Sequence, residues 1–203
     1  MCRVRTALRV LVTVGVADDS RIQWNKELWS IAMSDDWRAR ARKIPKGHLF
    51  EDFELGQVFN HHWGRTLNQS DSTLFTTLTM NFNPLYFNTP YARAHGHRQV
   101  PVNPMLVFLT AFGLSVEDLS EAGGLFLGVD ALTFHRTIYP GDTLVARSTV
   151  VEKRESQSRP ELGIVTWHTE GFLLEGASRN GGEGALAVDF RRSNLVPKRG
   201  IGV

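Results

Sequence analysis

From residue 50 onward, the pattern of apolar and polar positions starts with short mixed runs, continues with a helical period and ends in alternation. The runs "FEDFELGQVF" and "HHWGRTLN", broken by Gly56 and Gly64, predict an opening strand or two. In "SDSTLFTTLTM", apolar residues recur three to four apart behind Asp71, which has the chemistry of an N-cap. We therefore expect one short helix after the opening strands.

The segment from Val102 to Leu119 predicts a second helix with clear end signals. Asn103 is a good N-cap, Pro104 fits the first turn, and "EAGG" ends the segment. The side chains between these signals are apolar on every face: Met105, Leu106, Val107, Phe108, Leu109, Ala111, Phe112 and Leu114. A helix that is apolar all round is expected to be buried all round, and this one is too short to span a membrane.

Alternating runs fill the rest of the chain. They are "GLFLGVDALTFHRTIY", "TLVARSTVVEKRES", "GIVTWHTEGFLLEG" and "ALAVDFRRSNLV", with Asn180-Gly181 as a hairpin signal before the last. Consecutive strands joined by short turns predict an antiparallel sheet, and one buried helix beside it makes the fold α+β. A sheet curled around a single helix is the hotdog fold. Since one sheet cannot cover both sides of the helix and its own edges, we expect a homodimer or higher homo-oligomer.

Composition narrows the class of protein. The 203 residues are 42% hydrophobic and 22% charged with a formal charge of +2, which fits one principal domain and gives no reason to expect a nucleic-acid partner. The single cysteine, Cys2, excludes a disulfide framework and a Cys-type zinc site. Because the sequence has no metal-ligand spacing and no Gly-rich phosphate loop, we expect no metal or redox cofactor.

The N-terminal residues are expected to be separate from this domain. The stretch "MCRVRTALRVLVTVGVADD" is similar to a weak secretory or Arg-rich transit signal. The reading we favour is a poorly structured extension over residues 1–49, with Met33 as an alternative natural start, ahead of a hotdog domain over residues 50–203. On that reading the protein is cytoplasmic and has no membrane partner.

The candidate site is the stretch "NFNPLYFN", residues 81–88. It carries four polar side chains that do not ionise near neutral pH, namely Asn81, Asn83, Tyr86 and Asn88. Such a group can bind and orient a ligand, but it contains no ordinary base. A reaction here would need its base from elsewhere.

Several separated motifs resemble the MaoC-like hydratases, and most closely the single-domain branch with itaconyl-CoA and mesaconyl-CoA hydratase-like proteins. The motifs are "TMNFNPLYFNTPYARAHG", "VNPM", "YPGDTL" and "EKRESQSRP", in the family's order over residues 50–197. The resemblance implies addition of water to an acyl-CoA thioester, or its removal. The expected substrate is a short, branched or dicarboxylic enoyl-CoA, and coenzyme A enters only as part of that substrate.

The family signature Asp-x-Asn-Pro-x-His appears here with both acid-base residues replaced. Its Asp position is Asn81, its Asn and Pro are Asn83 and Pro84, and its His position is Tyr86. Asn81 cannot ionise, and a tyrosine has a pKa of about 10. The resemblance therefore implies that Asn81 and Tyr86 position water or donate a proton, while Asn83 braces the loop.

The resemblance and the neighbouring sequence add further candidates. The start of the buried helix at Asn103, with the N–H groups of Met105 and Leu106, is expected to polarise the thioester carbonyl. His97, and after it His95, are the candidate bases because they lie between the Asn-rich loop and that helix. Arg98 is a candidate for the phosphates of coenzyme A.

Two other functions stay open at this stage. Loss of the Asp/His pair also fits a non-catalytic protein that binds an acyl-CoA or an acyl carrier. Thioester hydrolysis on the same fold would need a carboxylate in the pocket, and Asp71 and Asp130 are the residues to inspect.

Overall fold

The computed structural model describes residues 47–174 and 184–200, which contain one sheet, four α-helices and two 3₁₀ turns. The strands are β1 (Val58–Thr66), β2 (Leu125–Phe134), β3 (Thr143–Glu155), β4 (Leu162–Leu173) and β5 (Leu186–Pro197). The helices are α1 (Gln69–Leu78), α2 (Thr89–Ala94), α3 (Pro104–Leu114) and α4 (Val116–Leu119), and the 3₁₀ turns are Phe50–Asp52 and Pro84–Tyr86. The predicted α+β class is confirmed.

The sheet has the strand order β1-β3-β4-β5-β2, and every neighbouring pair is antiparallel. Strands β3, β4 and β5 pair consecutively, as the alternating sequence predicts. The expectation that β2 pairs with β3, the next strand along the chain, is wrong. Instead, β2 lies at the opposite edge of the sheet from β1 and pairs with β5. The crossing leaves β1 and β2 as the two edges of the described sheet.

The opening segment forms one strand, where the sequence allowed two. Gly64 does not break β1; it pairs with Val145 after a bulge that begins at Asn60. A bulge adds residues on one strand and bends it, which keeps the strand continuous while re-aiming its side chains. Here His61 is buried inside the bulge, with 5% of its surface exposed.

The helix starts are largely as expected. The Asn103 side chain accepts the Met105 N–H at 2.9 Å, and Pro104 is the first residue of α3. The expected cap of α1 was wrong by three residues: Asn68 is the N-cap, and Asp71 lies at the third helical position, where it accepts the Asn68 N–H. The short helix α2 was not predicted, although its Asn88 cap is an ordinary start signal.

Helix α3 lies on one face of the sheet and forms the main core. Its residues Val107, Phe108 and Ala111 are buried against the strands. The helix comes very close to β4, since a Cβ on Gly171 would lie 3.1 Å from the Ala111 Cβ and 2.9 Å from Val188. A glycine at that position is therefore needed for the helix to pack against the sheet.

One stripe of α3 stays exposed within the part of the chain that the structure describes. Met105 is 43% exposed and Leu109 46% exposed, and Gly113, the next residue on the stripe, is also exposed. An open stripe agrees with the expectation that one sheet does not cover both sides of this helix. The sheet covers the other side of the helix, and the open stripe is entirely apolar or glycine.

A second core cluster includes the fully buried Trp167 together with Leu119 of α4 and Phe50 of the first 3₁₀ turn. Next to Trp167, the Arg192 side chain is also fully buried, with its guanidinium 5.3 Å from the Trp167 ring and 4.5 Å from the Phe112 ring. Burial lowers the pKa of Arg192 to about 10. The guanidinium nevertheless stays charged at neutral pH.

A buried polar chain ties α4 to the sheet. The His61 ring bonds the Asp118 carboxylate at 2.6 Å and the Ser148 hydroxyl at 2.9 Å, and Ser148 continues to Thr169 at 2.8 Å. Burial lowers the pKa of His61, although the Asp118 carboxylate opposes the shift. His61 therefore serves the core as a neutral, hydrogen-bonded group and is not available to a ligand.

Three further expectations concern the N-terminal extension, the last hairpin turn and the membrane. Most of the extension predicted over residues 1–49 lies outside the described residues, as does the Asn180-Gly181 hairpin. In the part that the structure describes, no helix combines the length and the apolar character needed to cross a bilayer.

Candidate functional site

The loop of residues 81–88 is built by its asparagines. Asn83 caps the second 3₁₀ turn by accepting the Leu85 N–H at 3.0 Å, and Asn81 accepts the Asn83 N–H at 3.4 Å. Asn88 caps α2 by accepting the Tyr91 N–H at 3.0 Å. These three amides hold the shape of the loop, which leaves Tyr86 as the polar group of the stretch that reaches a pocket.

That pocket is a cavity of about 310 Å³ between the loop, the start of α3 and the segment after β2. Its volume is within the range of small-ligand sites. The lining is mostly apolar with a few polar groups: Leu85, Tyr86, His97, Pro101, Val102, Pro104, Val107, Phe134, His135, Arg136, Thr137 and Ile138. The fold thus brings two of the predicted site residues, Tyr86 and His97, to one cavity.

Tyr86 enters this pocket as a neutral phenol. The side chain is half-buried, and burial raises its pKa above the ordinary value of 10. A phenol in this state can donate a hydrogen bond or a proton, but it does not act as a tyrosinate base near pH 7. Any base in the pocket must therefore be another group.

His97 is the predicted base that reaches the pocket. Its Nδ1 lies 3.1 Å from the Tyr139 hydroxyl, and its Nε2 has no hydrogen-bond partner among the described residues. When Nδ1–H donates to that hydroxyl, Nε2 carries the lone pair that a base needs. His95, the second candidate, is exposed, bonds the Tyr91 carbonyl and lies outside the lining.

Arg98 also lies outside the lining of the pocket. Its guanidinium stacks over the Tyr139 ring at 4.5 Å and comes within 3.9 Å of Asp142. The side chain is 67% exposed, so the predicted contact with coenzyme A phosphates stays a prediction.

At the start of α3, the two amides expected to polarise a thioester already have acceptors. The Met105 N–H donates to the Asn103 side chain, and the Leu106 N–H donates to the Asn103 carbonyl at 2.9 Å. The Nδ2 of Asn103 is buried and has no hydrogen-bond partner among the described residues. The side-chain amide of Asn103 is therefore a donor at this helix start that has no partner among the described residues. The expectation that the N–H groups of Met105 and Leu106 polarise the thioester carbonyl stays a prediction.

Sequence reasoning missed the contribution of the segment that follows β2. His135 and Arg136 both belong to the pocket lining. The Nε2 of His135 lies 2.6 Å from Asp189, which also pairs with His168 at 2.9 Å. Burial works to raise the pKa of Asp189, but the hydrogen bonds from the two histidines outweigh it, so the pKa is lowered. Nothing in the local sequence marks this segment, because only the crossing of β2 brings it to the pocket.

The two carboxylates considered for thioester hydrolysis are placed elsewhere. Asp71 is part of the capping box of α1 and bonds Arg65 at 3.2 Å, and Asp130 is an exposed residue of β2. Neither lines the pocket, and no other carboxylate does so among the described residues. The observed lining does not favour hydrolysis by a carboxylate.

Comparison with known proteins gives consistent relatives. A family described as mesaconyl-CoA hydratase matches residues 32–201. The chain is 40% identical over 160 residues to the mesaconyl-CoA hydratase of Haloarcula marismortui, covering 79% of this chain and 43% of the relative. It is 36% identical over 129 residues to the β-methylmalyl-CoA dehydratase of Chloroflexus aurantiacus, covering 64% of this chain and 36% of the relative.

A solved structure shows the same architecture. A double hotdog protein of Mycobacterium tuberculosis superposes with a TM-score of 0.63 at 25% identity, covering 77% of this chain and 46% of that one. The chain therefore spans less than half the length of these relatives. Its described sheet and helix correspond to one hotdog unit.

Proposed function

Because this chain belongs to the mesaconyl-CoA hydratase family of MaoC-like proteins, we propose that it adds water to, or removes it from, a short branched or dicarboxylic enoyl-CoA thioester. The observation that carries the proposal is the meeting of Tyr86 and His97 at one cavity beside the start of α3. Tyr86 stands at the His position of the family signature and lines the cavity, whereas Asn81, at the Asp position, does not. Tyr86 supplies a proton donor, and His97 supplies a histidine base from a different position of the chain.

Hydration of an enoyl thioester requires two proton movements. The oxygen of water bonds to the β-carbon while a base takes its proton, and a donor delivers a proton to the α-carbon. In the proposed mechanism, His97 accepts the proton of water at Nε2 and Tyr86 serves as the donor. Dehydration runs the same steps in reverse. The apolar part of the lining holds the acyl chain and limits access of further water.

No metal or redox cofactor has a part in this mechanism, since both proton transfers are assigned to side chains of the chain itself. Dialysis against a chelator is therefore expected to leave turnover unchanged. We also place the reaction in the cytoplasm, which agrees with the presence of a single cysteine.

The test is turnover of mesaconyl-, itaconyl- and crotonyl-CoA by the purified chain, followed as loss of the enoyl group in water enriched in oxygen-18. We expect saturable formation of a hydroxyacyl-CoA that carries the heavy oxygen. Saturable binding without turnover of any thioester would instead identify a binding protein. Release of free coenzyme A thiol would identify hydrolysis.

We also propose that the functional unit is a homodimer. The open stripe of α3 borders a mostly apolar groove of about 580 Å³, whose lining also includes Trp63 of β1 and the charged Arg65 and Glu117. On the β2 edge, the consecutive residues Leu125, Phe126 and Leu127 are each about half exposed. Contiguous apolar surface and an unpaired strand edge are features that a partner normally covers. A second copy supplies the second hotdog unit that the double hotdog relative has in one chain.

Sedimentation of the intact chain is expected to give twice its 22.8 kDa mass at micromolar concentration. The substitution Leu109→Glu places a charge on the open stripe and is expected to shift the protein to one chain, because desolvating an unpaired carboxylate is costly. Leu55→Glu is the matched control, since Leu55 is 67% exposed before β1. A wild-type mass of one chain, or a dimer unaffected by Leu109→Glu, would contradict this arrangement.

A further inference from the structure

The pocket contains one permanent charge among its described lining residues, the guanidinium of Arg136. The other polar groups of the lining are Tyr86, His97, His135 and Thr137, none of which is a fixed cation at neutral pH. A guanidinium stays protonated in proteins and presents a planar fork of donors. An otherwise mostly apolar cavity with a single fixed cation is suited to a ligand with one negative group beside an apolar body.

Arg136 is anchored but not neutralised. Its Nε donates to the Leu186 carbonyl at 3.0 Å, which leaves the terminal nitrogens of the fork without that bond. Among the described residues, no carboxylate lies within ion-pairing distance of Arg136. The neighbouring His135 differs in this respect, because Asp189 holds its ring at 2.6 Å. The fork of Arg136 is therefore available to an external anion.

An acyl-CoA offers two kinds of anion, and their positions differ. The phosphates of coenzyme A are separated from the thioester by the whole pantetheine arm. The second carboxylate of a dicarboxylic acyl group is only a few bonds from the thioester carbon. Arg136 shares the cavity with Tyr86 and His97, which are the groups assigned to the reacting carbons. The geometry thus favours the acyl carboxylate.

We propose that Arg136 is the specificity-determining residue that binds the second carboxylate of a dicarboxylic enoyl-CoA. This inference rests on the proposed function for the identity of the acyl-CoA. Two parallel N–H···O bonds from the fork to a carboxylate fix both its position and its orientation. A carboxylate bound by Arg136 would align the double bond of the substrate with Tyr86 and His97.

The test compares two thioesters that differ in one group. Mesaconyl-CoA, taken as its C1 thioester, and tiglyl-CoA share the same coenzyme, the same α-methyl group and the same double-bond geometry, but tiglyl-CoA has a methyl group in place of the carboxylate. For Arg136→Gln, we expect kcat/KM for mesaconyl-CoA to fall about 10- to 100-fold, as for loss of a charged hydrogen bond. With tiglyl-CoA, the same variant should stay within about threefold of wild type, because no interaction with the acyl group is lost.

Two more variants separate charge from geometry. Arg136→Lys keeps the charge but not the fork, and is expected to fall between wild type and Arg136→Gln for mesaconyl-CoA. Arg154→Gln is the matched control, since Arg154 is an exposed arginine of β3 outside the pocket. It should leave both substrates unchanged. Equal losses of Arg136→Gln on both thioesters would assign Arg136 to the coenzyme or to the fold and overturn the proposal, as would no loss on either.

Calorimetric titration of both thioesters separates this inference from the proposed function. A wild-type protein without turnover that still prefers mesaconyl-CoA through Arg136 would overturn the hydratase function and leave the carboxylate site standing. Turnover with no Arg136-dependent preference would leave the hydratase function standing and overturn the carboxylate site. Absence of both binding and turnover would overturn both.

Discussion

Replacing Tyr86 by phenylalanine is expected to lower kcat for water addition about 100-fold or more while leaving the affinity for the thioester nearly unchanged. The substitution removes only the hydroxyl and keeps the ring that packs in the half-buried second 3₁₀ turn. Because burial raises the pKa of Tyr86 above 10, the phenol keeps its proton throughout the neutral range. Its contribution to the rate is therefore expected to be lost only when the pH rises above 10.

Steady-state kinetics with mesaconyl-CoA checks this result, with binding measured separately by titration. Tyr91→Phe is the matched control, because Tyr91 is exposed on α2, stacks on His95 and lies outside the pocket. The control should keep the wild-type rate. If Tyr86→Phe retained more than a third of kcat, Tyr86 would not be the proton donor and the assignment would have to move to another group of the lining.

The largest expected effect on stability comes from Trp167→Ala. Trp167 is fully buried between the Phe53 ring, at 5.2 Å, and the Arg192 guanidinium. Removing a large buried aromatic costs its transfer free energy and leaves a cavity, so the free energy of unfolding should fall by about 3–5 kcal/mol. The same cavity would remove packing from the second core cluster and from the buried guanidinium beside it.

Denaturant unfolding at fixed protein concentration measures this change, with Trp167→Phe as the comparison. The indole Nε1 is buried without a hydrogen-bond partner among the described residues, so phenylalanine gives up volume but no hydrogen bond. We expect Trp167→Phe to cost about 1–2 kcal/mol, clearly less than alanine. A Trp167→Ala protein within 1 kcal/mol of wild type would show that the cluster can collapse around the missing ring.

The sequence predictions were correct where the interactions join neighbouring residues, and they failed where the interactions join distant parts of the chain. The start of α3 was predicted correctly because its signals, Asn103 and Pro104, act within one turn of the helix. The alternating runs predicted the strands β3 and β4, and Val150, Val165 and Trp167 of these strands are buried. The pairing of β2 with β5 could not be predicted from alternation, because that pairing joins residues about 60 positions apart.

The candidate site also has features that the local sequence predicted and features that only the structure showed. The polar character of residues 81–88 pointed to the loop, and the resemblance gave Asn83 a bracing role, which its bond to the Leu85 N–H fits. The pattern did not show that Asn81 and Asn88 also use their side-chain oxygens on neighbouring backbone amides. An asparagine in a loop has the same sequence whether it braces the chain or faces a ligand. The hydrogen bonds that each side-chain oxygen accepts in the folded chain show which role it has.

By itself, the sequence determined the α+β class, the family motif with its replaced acid-base pair, and the helix that the sheet packs against. These features depend on local spacing, helix caps and residue chemistry, all of which involve residues close together in the sequence. Only the tertiary structure decided that Tyr86, His97 and Arg136 share one pocket and that one stripe of α3 stays open. The physical reason is that the crossing of β2 and the close contact of α3 with the sheet bring together segments that no local pattern connects.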